Sequence, residues 1–267
     1  MANAPGSFIW YELMTTDADA AAKFYGAVVG WKIAAQGDAQ SSGGQDYRPI
    51  SRNDGGMQGG VLQLTPEMVN GGARPLWVGY LAVNDVDKVA KAIEADGGTT
   101  RMPKKSLPVG DITMLADPMG TPFYVMKPVP PPGKPDATRD VFKPEGEQHV
   151  MWNELASPDL ARARQFYAKH FGFEFNETMP MGPMGDYCFI DHAGQRLGAI
   201  MQKPAESPLG TWLFYFGVPS VAAAKRAIES GGGKVMHGPQ EVPGGAWIVM
   251  ATDPHGAAFG VVGPRGE

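Results

Sequence analysis

Two stretches of this sequence, one near its start and one past its middle, share the pattern that decides the fold. Residues 8–33 read FIWYELMTTDADAAAKFYGAVVGWKI, and residues 150–175 read VMWNELASPDLARARQFYAKHFGFEF. The identical positions include Trp10/Trp152, Glu12/Glu154, Leu13/Leu155, Asp17/Asp159, Phe24/Phe166, Tyr25/Tyr167 and Gly30/Gly172. Each stretch first alternates like a strand and then carries apolar residues at helical spacing. The chain therefore contains two related halves, and whatever recurs in both belongs either to the fold or to a site.

A second block repeats further along each half. Residues 77–97 and 212–232 share Trp77/Trp212, Tyr80/Tyr215, Val83/Val218, Val86/Val221, Ile93/Ile228 and Gly97/Gly232. An Asp-Pro-x-Gly sequence follows at 117–120 and again at 253–256. Strands are predicted around 44–50, 59–64, 76–83, 110–116, 121–126, 185–191, 197–202, 211–218, 246–252 and 257–262, with helices at 85–96 and 220–230. This order predicts an α+β fold of four βαβββ modules, two per half, with helices on one face of each sheet and a pseudo-twofold between the halves.

The domain boundary is predicted from a run of proline and charge. Residues 127–148 read KPVPPPGKPDATRDVFKPEGEQ, and prolines favour a stiff extended connector. Domain one is therefore placed at 6–127, the linker at 128–147 and domain two at 148–264. Thr15 and Ser157 are the predicted N-caps of the first helix in each half.

Composition narrows the function classes. The 267 residues are 43% hydrophobic and 19% charged, with a formal net charge of −5 that is spread without runs. Nucleic-acid binding needs a basic face, and a membrane span needs about 20 apolar residues, so neither partner is expected. The first residues lack the basic and apolar regions of a signal peptide, which predicts a cytoplasmic protein. The single cysteine, Cys188, lies in an apolar run and is predicted to be a buried, unreactive thiol.

On these residues the chain resembles the vicinal oxygen chelate superfamily, the glyoxalase/bleomycin-resistance/dioxygenase group. The resemblance rests on the first strand followed by Asp17 or Asp159, the helix that ends Phe-Tyr…Gly, and the Asp-Pro-x-Gly turn before each last strand. It covers nearly the whole chain outside the linker. It implies paired modules that form cups, with a divalent metal held by inward His and Glu side chains. Because this fold supports many chemistries, the resemblance alone does not specify one.

The metal positions that the resemblance implies carry no metal-binding side chains. Carried over position by position, they are Trp10, Val78 and Tyr124 in the first half and Trp152, Leu213 and Gly260 in the second. Metal sites of this kind are built from imidazole, carboxylate or thiolate groups. We therefore expect no metal and no other cofactor in the cups.

Glu12 and Glu154 are the candidate catalytic residues. Each lies two residues beyond its tryptophan and so shares that face of the strand. A carboxylate beneath an indole in an apolar cup is suited to general acid–base chemistry. The alternative is structural, in which each glutamate pairs with a neighbouring backbone group or a buried arginine.

The candidate ligand-binding residues are polar or aromatic groups on the strands. A tyrosine hydroxyl in a cup would orient a carbonyl group, although rim or core packing is the alternative. The glutamines end their strands and are candidates for one polar contact each. The set is Trp10, Gln63, Tyr80, Tyr124, Trp152, Gln202 and Tyr215. The five histidines show no clustering by spacing, and His149 is predicted to face away from Trp152.

Three functions follow from this reading. The first is the binding of a small apolar or aromatic molecule in aromatic-lined cups without metal. The second is metal-free lyase or isomerase chemistry with Glu154 or Glu12 as the base. The third is metal-dependent lyase or dioxygenase chemistry by displaced ligands. Since both halves are present in one chain, a monomer or weak homodimer is expected.

Overall fold

The computed structural model describes residues 3–37, 42–134, 137–205 and 210–267. The chain divides into two compact units by its internal contacts. One unit comprises Met1–Ile9, Val78–Arg139 and Trp152–Trp212, and the other comprises Trp10–Trp77, Asp140–Met151 and Leu213–Glu267. Each unit therefore takes segments from both halves of the sequence.

The first half of the chain contains eight strands and three helices within the described residues. In chain order they are β1 (Phe8–Thr15), α1 (Ala18–Val28), β2 (Lys32–Ile33), β3 (Tyr47–Ser51), β4 (Met57–Gln63), α2 (Pro66–Asn70), β5 (Leu76–Ala82), α3 (Val86–Ala95), β6 (Thr99–Leu107), β7 (Gly110–Ala116) and β8 (Pro122–Pro128). The strands follow the order β2-β3-β4-β1-β5-β8-β7-β6 in one sheet.

The second half repeats this arrangement. Its elements are β9 (Val150–Ser157), α4 (Leu160–Phe171), β10 (Thr178–Pro180), a 3-10 turn (Gly182–Met184), β11 (Asp186–His192), β12 (Gln195–Gln202), β13 (Trp212–Gly217), α5 (Val221–Ser230), β14 (Lys234–Glu241), β15 (Trp247–Thr252) and β16 (Ala258–Gly263). Their sheet order is β10-β11-β12-β9-β13-β16-β15-β14.

Four βαβββ modules are confirmed. In each module the first strand pairs in parallel with the last, as β1 does with β4 and β9 with β12. A parallel pair needs a crossover, which the module's helix provides. The sequence analysis gave no residue ranges for two of the strands, β6 and β14. Both strands are long and mostly exposed, so they lack the apolar alternation that marks a half-buried strand.

The predicted N-caps were wrong by two residues. Thr15 and Ser157 end their strands, and the caps are Asp17 and Asp159. The Asp17 carboxylate accepts a hydrogen bond from the Ala20 amide, and Asp159 does the same for Arg162. An aspartate side chain reaches the third amide of a helix as well as a hydroxyl does, so two cap-forming residues that lie two positions apart leave the helix start ambiguous in the sequence.

The core is aromatic and lies between the sheets and their helices. Tyr25, Trp77 and Phe259 pack together in one unit, and Phe123, Tyr167 and Trp212 are fully buried in the other. Cys188 is buried, as predicted. None of the helices formed by the described residues is long and apolar enough to cross a membrane.

Candidate functional site

One face of β9 carries a polar cluster of half-buried residues. Asn153 and Leu155 point to the buried side, while Trp152 and Glu154 are half-buried on the other. The Trp152 indole Nε1 donates a hydrogen bond to the Tyr187 hydroxyl at 2.8 Å, and that hydroxyl donates to Glu154 Oε2 at 2.6 Å. These three residues, the second-half cluster, form a chain of hydrogen bonds in one direction.

Electrostatic effects fix the direction of these hydrogen bonds, with Glu154 as the final acceptor. Burial, followed by the negative charge of Glu154, raises the pKa of Tyr187 well above its ordinary value. The phenol therefore stays protonated and acts as a donor, and Glu154 is the acceptor at the end of the chain. A carboxylate held this way has a fixed orientation and is suited to receive a further hydrogen bond or a proton.

Aromatic and flexible side chains surround the second-half cluster. Phe189 makes edge-to-face contacts with Trp152 and Tyr187 at centroid separations of 6.1 and 5.6 Å. The Arg196 guanidinium lies over the Phe189 ring at 4.4 Å. Met179 on β10 pairs directly with Tyr187 across the strands, so their side chains share a face. Flat rings beside an adaptable thioether suit a planar apolar ligand.

The first half contains the corresponding tryptophan, tyrosine and glutamate, but its glutamate is buried. Trp10 Nε1 donates to the Tyr47 hydroxyl at 2.5 Å, and Tyr47 in turn interacts with Glu12, whose charge contributes, after burial, to raising the Tyr47 pKa. We call Trp10, Glu12 and Tyr47 the first-half cluster. Glu12 is only 2% exposed, whereas Glu154 is half-buried. Glu154 is therefore the more accessible of the two carboxylates.

Glycines make room for two of these tyrosines. A Cβ at Gly60 would lie 2.2 Å from the Tyr47 ring, so the ring packs directly on the Gly60 backbone. Gly260 does the same for the candidate Tyr215, whose ring would lie 2.3 Å from a Cβ there. The two other candidate tyrosines, Tyr80 and Tyr124, stack on each other at a centroid separation of 4.2 Å.

The sequence reasoning missed Tyr47 and Tyr187, although both complete the glutamate clusters. A signal existed, because each lies on the strand before the one that ends in Gln63 or Gln202.

The side chains of the candidate glutamines contact the backbone at the start of the first helix in each half. Gln63 Oε1 accepts from the Ala18 amide at 2.8 Å, and the Gln202 amide group donates to the Pro158 carbonyl at 2.8 Å.

The histidines lie in separate surroundings. His170 faces Asp96 at 2.8 Å, and His192 Nδ1 lies 3.3 Å from the Gly172 carbonyl. His237 contacts Gln240, and His255 lies 3.2 Å from the Thr16 hydroxyl. Only His149 approaches two carboxylates, those of Asp54 and Asp140, among the residues that the structure describes.

The metal positions implied by the resemblance do not fit a metal. Val78 and Leu213 are buried alkyl groups, and Gly260 supports an aromatic ring instead of presenting a donor. The two indoles are hydrogen-bond donors, and the Tyr124 phenol is stacked on Tyr80. The donor chemistry at these positions is therefore unsuited to zinc, iron or manganese.

Comparison with known proteins identifies relatives of the whole chain. Residues 7–124 and 148–261 match the Glyoxalase/Bleomycin resistance protein/Dioxygenase superfamily. CFP32 of Mycobacterium tuberculosis, provisionally named a glyoxylase, is 28% identical over 96% of this chain and 94% of its own. The anthracycline biosynthesis protein DauV of Streptomyces sp. strain C5 is 30% identical over 97% of this chain and 94% of its own.

A solved structure shares the fold. The Mn(II)-bound glyoxalase from Novosphingobium aromaticivorans superimposes with a TM-score of 0.62 at 18% identity, over 98% of this chain and 83% of that one. At that identity the likeness concerns the fold alone.

Proposed function

The chain belongs to the Glyoxalase/Bleomycin resistance protein/Dioxygenase superfamily, and within it we propose that this protein binds a small aromatic or apolar molecule at the second-half cluster, without a metal at the family's ligand positions. The observation that carries the proposal is the chain from Trp152 through Tyr187 to Glu154. It places one oriented acceptor beside an aromatic face.

The chemistry of the surroundings supports an aromatic ligand. The faces of Trp152 and Phe189 offer stacking and edge contacts, while Glu154 accepts a hydrogen bond from a ligand hydroxyl. DauV takes its name from anthracycline biosynthesis, which supports a polycyclic hydroxylated ligand. The half-buried state of Glu154, against the buried Glu12, supports the second half as the binding half.

The test is calorimetric titration of the purified protein with an anthracycline and with smaller hydroxylated aromatic compounds. Tyr187→Phe removes both hydrogen bonds of the chain but keeps the ring, and Glu154→Gln removes the charge but keeps the size. Each should weaken binding about 10- to 100-fold, the effect of one hydrogen bond to a charged group.

The first half provides matched controls. Tyr47→Phe and Glu12→Gln make the same chemical changes in the first-half cluster and should leave ligand affinity unchanged once folding is verified by circular dichroism. Binding that survives both second-half variants, or that is lost only in the first-half variants, would show that this cluster is not the ligand site.

The arrangement also supports a second function, proton abstraction by Glu154. Its carboxylate would take a proton from a carbon next to a ligand carbonyl, and the Tyr187 hydroxyl, 2.6 Å away, would stabilise the carboxylate beforehand. In that case Glu154→Gln, at ligand concentrations that saturate its weakened site, should abolish exchange of the ligand's carbon-bound hydrogen with deuterated solvent. Exchange at an unchanged rate in this variant would leave binding alone as the function.

A further inference from the structure

Three side chains that can bind a metal meet outside both aromatic clusters. Asp54 lies in the turn between β3 and β4, Asp140 lies in the connector, and His149 directly precedes β9. His149 Nε2 is 3.8 Å from Asp140 Oδ2 and 4.0 Å from Asp54 Oδ2. One potential ligand atom from each residue lies within 4.8 Å of the others.

The orientation of His149 distinguishes this group from an ordinary acidic patch. The residue is only 4% exposed, and its Nδ1 lies 2.8 Å from the Glu147 carbonyl oxygen. A carbonyl can only accept, so Nδ1 carries a hydrogen and Nε2 of the neutral ring has a lone pair. Nε2 is buried and has no hydrogen-bond partner among the described residues. A buried acceptor therefore faces two carboxylates, and a cation bound between them would satisfy all three groups.

The spacing favours a metal ion over a proton as that cation. A protonated imidazole bonded to a carboxylate would bring nitrogen and oxygen to roughly 2.7–2.9 Å. Two ligands that each lie about 2.1 Å from a tetrahedral zinc ion are roughly 3.4 Å apart. The observed 3.8 and 4.0 Å lie closer to that spacing than to a charged hydrogen bond.

Neighbouring groups hold the two carboxylates in place. The Arg52 side chain, 1% exposed, bonds Asp140 Oδ2 at 2.8 Å and Asp54 Oδ1 at 3.1 Å. The Gly56 amide donates to Asp54 Oδ1 at 2.8 Å. One guanidinium against two carboxylates leaves one net negative charge beside a neutral imidazole, which suits a divalent ion. The Glu147 carbonyl and Arg52 provide the outer hydrogen bonds that metal ligands usually receive.

We propose that Asp54, Asp140 and His149 form a binding site for one divalent transition-metal ion of the zinc type. One imidazole with two carboxylates favours zinc or cobalt over calcium or magnesium, which take oxygen ligands only. The side chains of Asp54 and Asp140 are 51% and 67% exposed, so water completes the coordination. The bound ion fastens the connector and the start of β9 to the β3–β4 turn.

The test uses the full chain without an affinity tag, first treated with a chelator and dialysed. Titration calorimetry with ZnCl₂ should give one site, and zinc should raise the thermal unfolding midpoint. His149→Gln and Asp140→Asn should each weaken zinc binding at least tenfold and remove the thermal shift. His237→Gln, which changes an exposed histidine outside the group, is the matched control and should bind zinc as the unmodified protein does.

The outcomes separate this site from the proposed ligand site, since the two share no residue. Absence of zinc binding in the unmodified chain, or binding that persists unchanged in both variants, would overturn the proposal. Asp140→Asn changes a mostly exposed side chain, so it keeps the test valid if His149→Gln does not fold. The ligand titration with the second-half variants is read independently of either result.

Discussion

The Tyr25 hydroxyl donates a hydrogen bond to Asp253 Oδ2, 228 residues further along the chain, at 3.2 Å. The Trp77 indole donates to the same hydroxyl at 2.8 Å. In the other unit Trp212 donates to Tyr167 at 3.1 Å, and Tyr167 donates to Asp117 at 3.2 Å. The tyrosine of the Phe-Tyr motif and the aspartate of Asp-Pro-x-Gly therefore recur because together they build the core.

We predict that Tyr25→Phe and Tyr167→Phe each destabilise the protein by about 2–4 kcal/mol. Each variant removes a hydroxyl that accepts a hydrogen bond from a buried indole and donates one to a buried carboxylate, and the loss of each buried hydrogen bond costs about 1–2 kcal/mol. The measurement is urea unfolding followed by circular dichroism. The two variants control each other, because they make the same change in separate units. A loss below about 0.5 kcal/mol in both would contradict this role.

The sequence predicted the fold well because its signals are local or repeated. Strand alternation, helical spacing and the glycine stops lie within short windows, and the second half tests each one again. The proposed metal site of Asp54, Asp140 and His149 could not be predicted from such local signals. Asp54 and His149 are 95 residues apart, and only the path of the connector brings them together. The same holds for Tyr187, whose role depends on strand register and not on spacing from Glu154.

The free energy of unfolding should decrease as pH rises through the range in which Asp253 and Asp117 titrate. Burial raises the pKa of both carboxyls, against the opposing effect of the backbone amides that bond to them. The folded state thus holds each proton more tightly than the unfolded state. The resulting stabilisation is complete below the unfolded value of about 3.9 and is lost as pH rises through the raised folded-state pKa.

The check is the free energy of unfolding measured across the acidic range for the unmodified protein and for Asp253→Asn. Asparagine keeps the size and an accepting oxygen but does not titrate, so the variant should show a shallower fall as pH rises. Asp117→Asn should behave alike. A difference between variant and unmodified protein that does not change with pH would refute the assignment.

Replacement by alanine should have opposite effects on stability at two glycines of the same unit. Gly26 lies inside α1, and a Cβ there meets only the Trp31 carbonyl at 3.5 Å. Gly26→Ala should therefore stabilise by about 0.5–1 kcal/mol, and α4 already has Ala168 at this position. At Gly59 a Cβ would lie 1.9 Å from the Tyr11 carbonyl oxygen. Gly59→Ala should cost more than about 3 kcal/mol, because β1 and β4 would have to separate.

The unfolding midpoints of these two variants in urea provide the measurement. A stabilised Gly59→Ala protein would mean that β4 does not approach β1 as closely as the structure has it. An unstable Gly26→Ala protein would mean that the helix interior is more crowded than the 3.5 Å contact indicates.

Gln148→Ala should destabilise the protein more than Gln148→Gly does. Its φ of 61° lies in the left-handed region, which costs an L-residue roughly 1–2 kcal/mol and glycine almost nothing. The side chain offsets this strain, since its amide group donates to the Gly30 carbonyl at 2.7 Å and its oxygen accepts from the Asn53 amide at 2.7 Å. Alanine keeps the strain and loses both bonds, whereas glycine loses the bonds and the strain together.

The position aligned with Gln148 in the first half supports this reading. Gly6 stands there with a φ of 95°, so the left-handed turn before the first strand belongs to both halves. We expect Gln148→Ala to be less stable than Gln148→Gly by about 1 kcal/mol in urea unfolding, with both below the unmodified protein. Equal stability of the two variants would mean that residue 148 leaves the left-handed conformation once its side chain is removed. In that case the glutamine itself, through its bonds to Gly30 and Asn53, sets the turn.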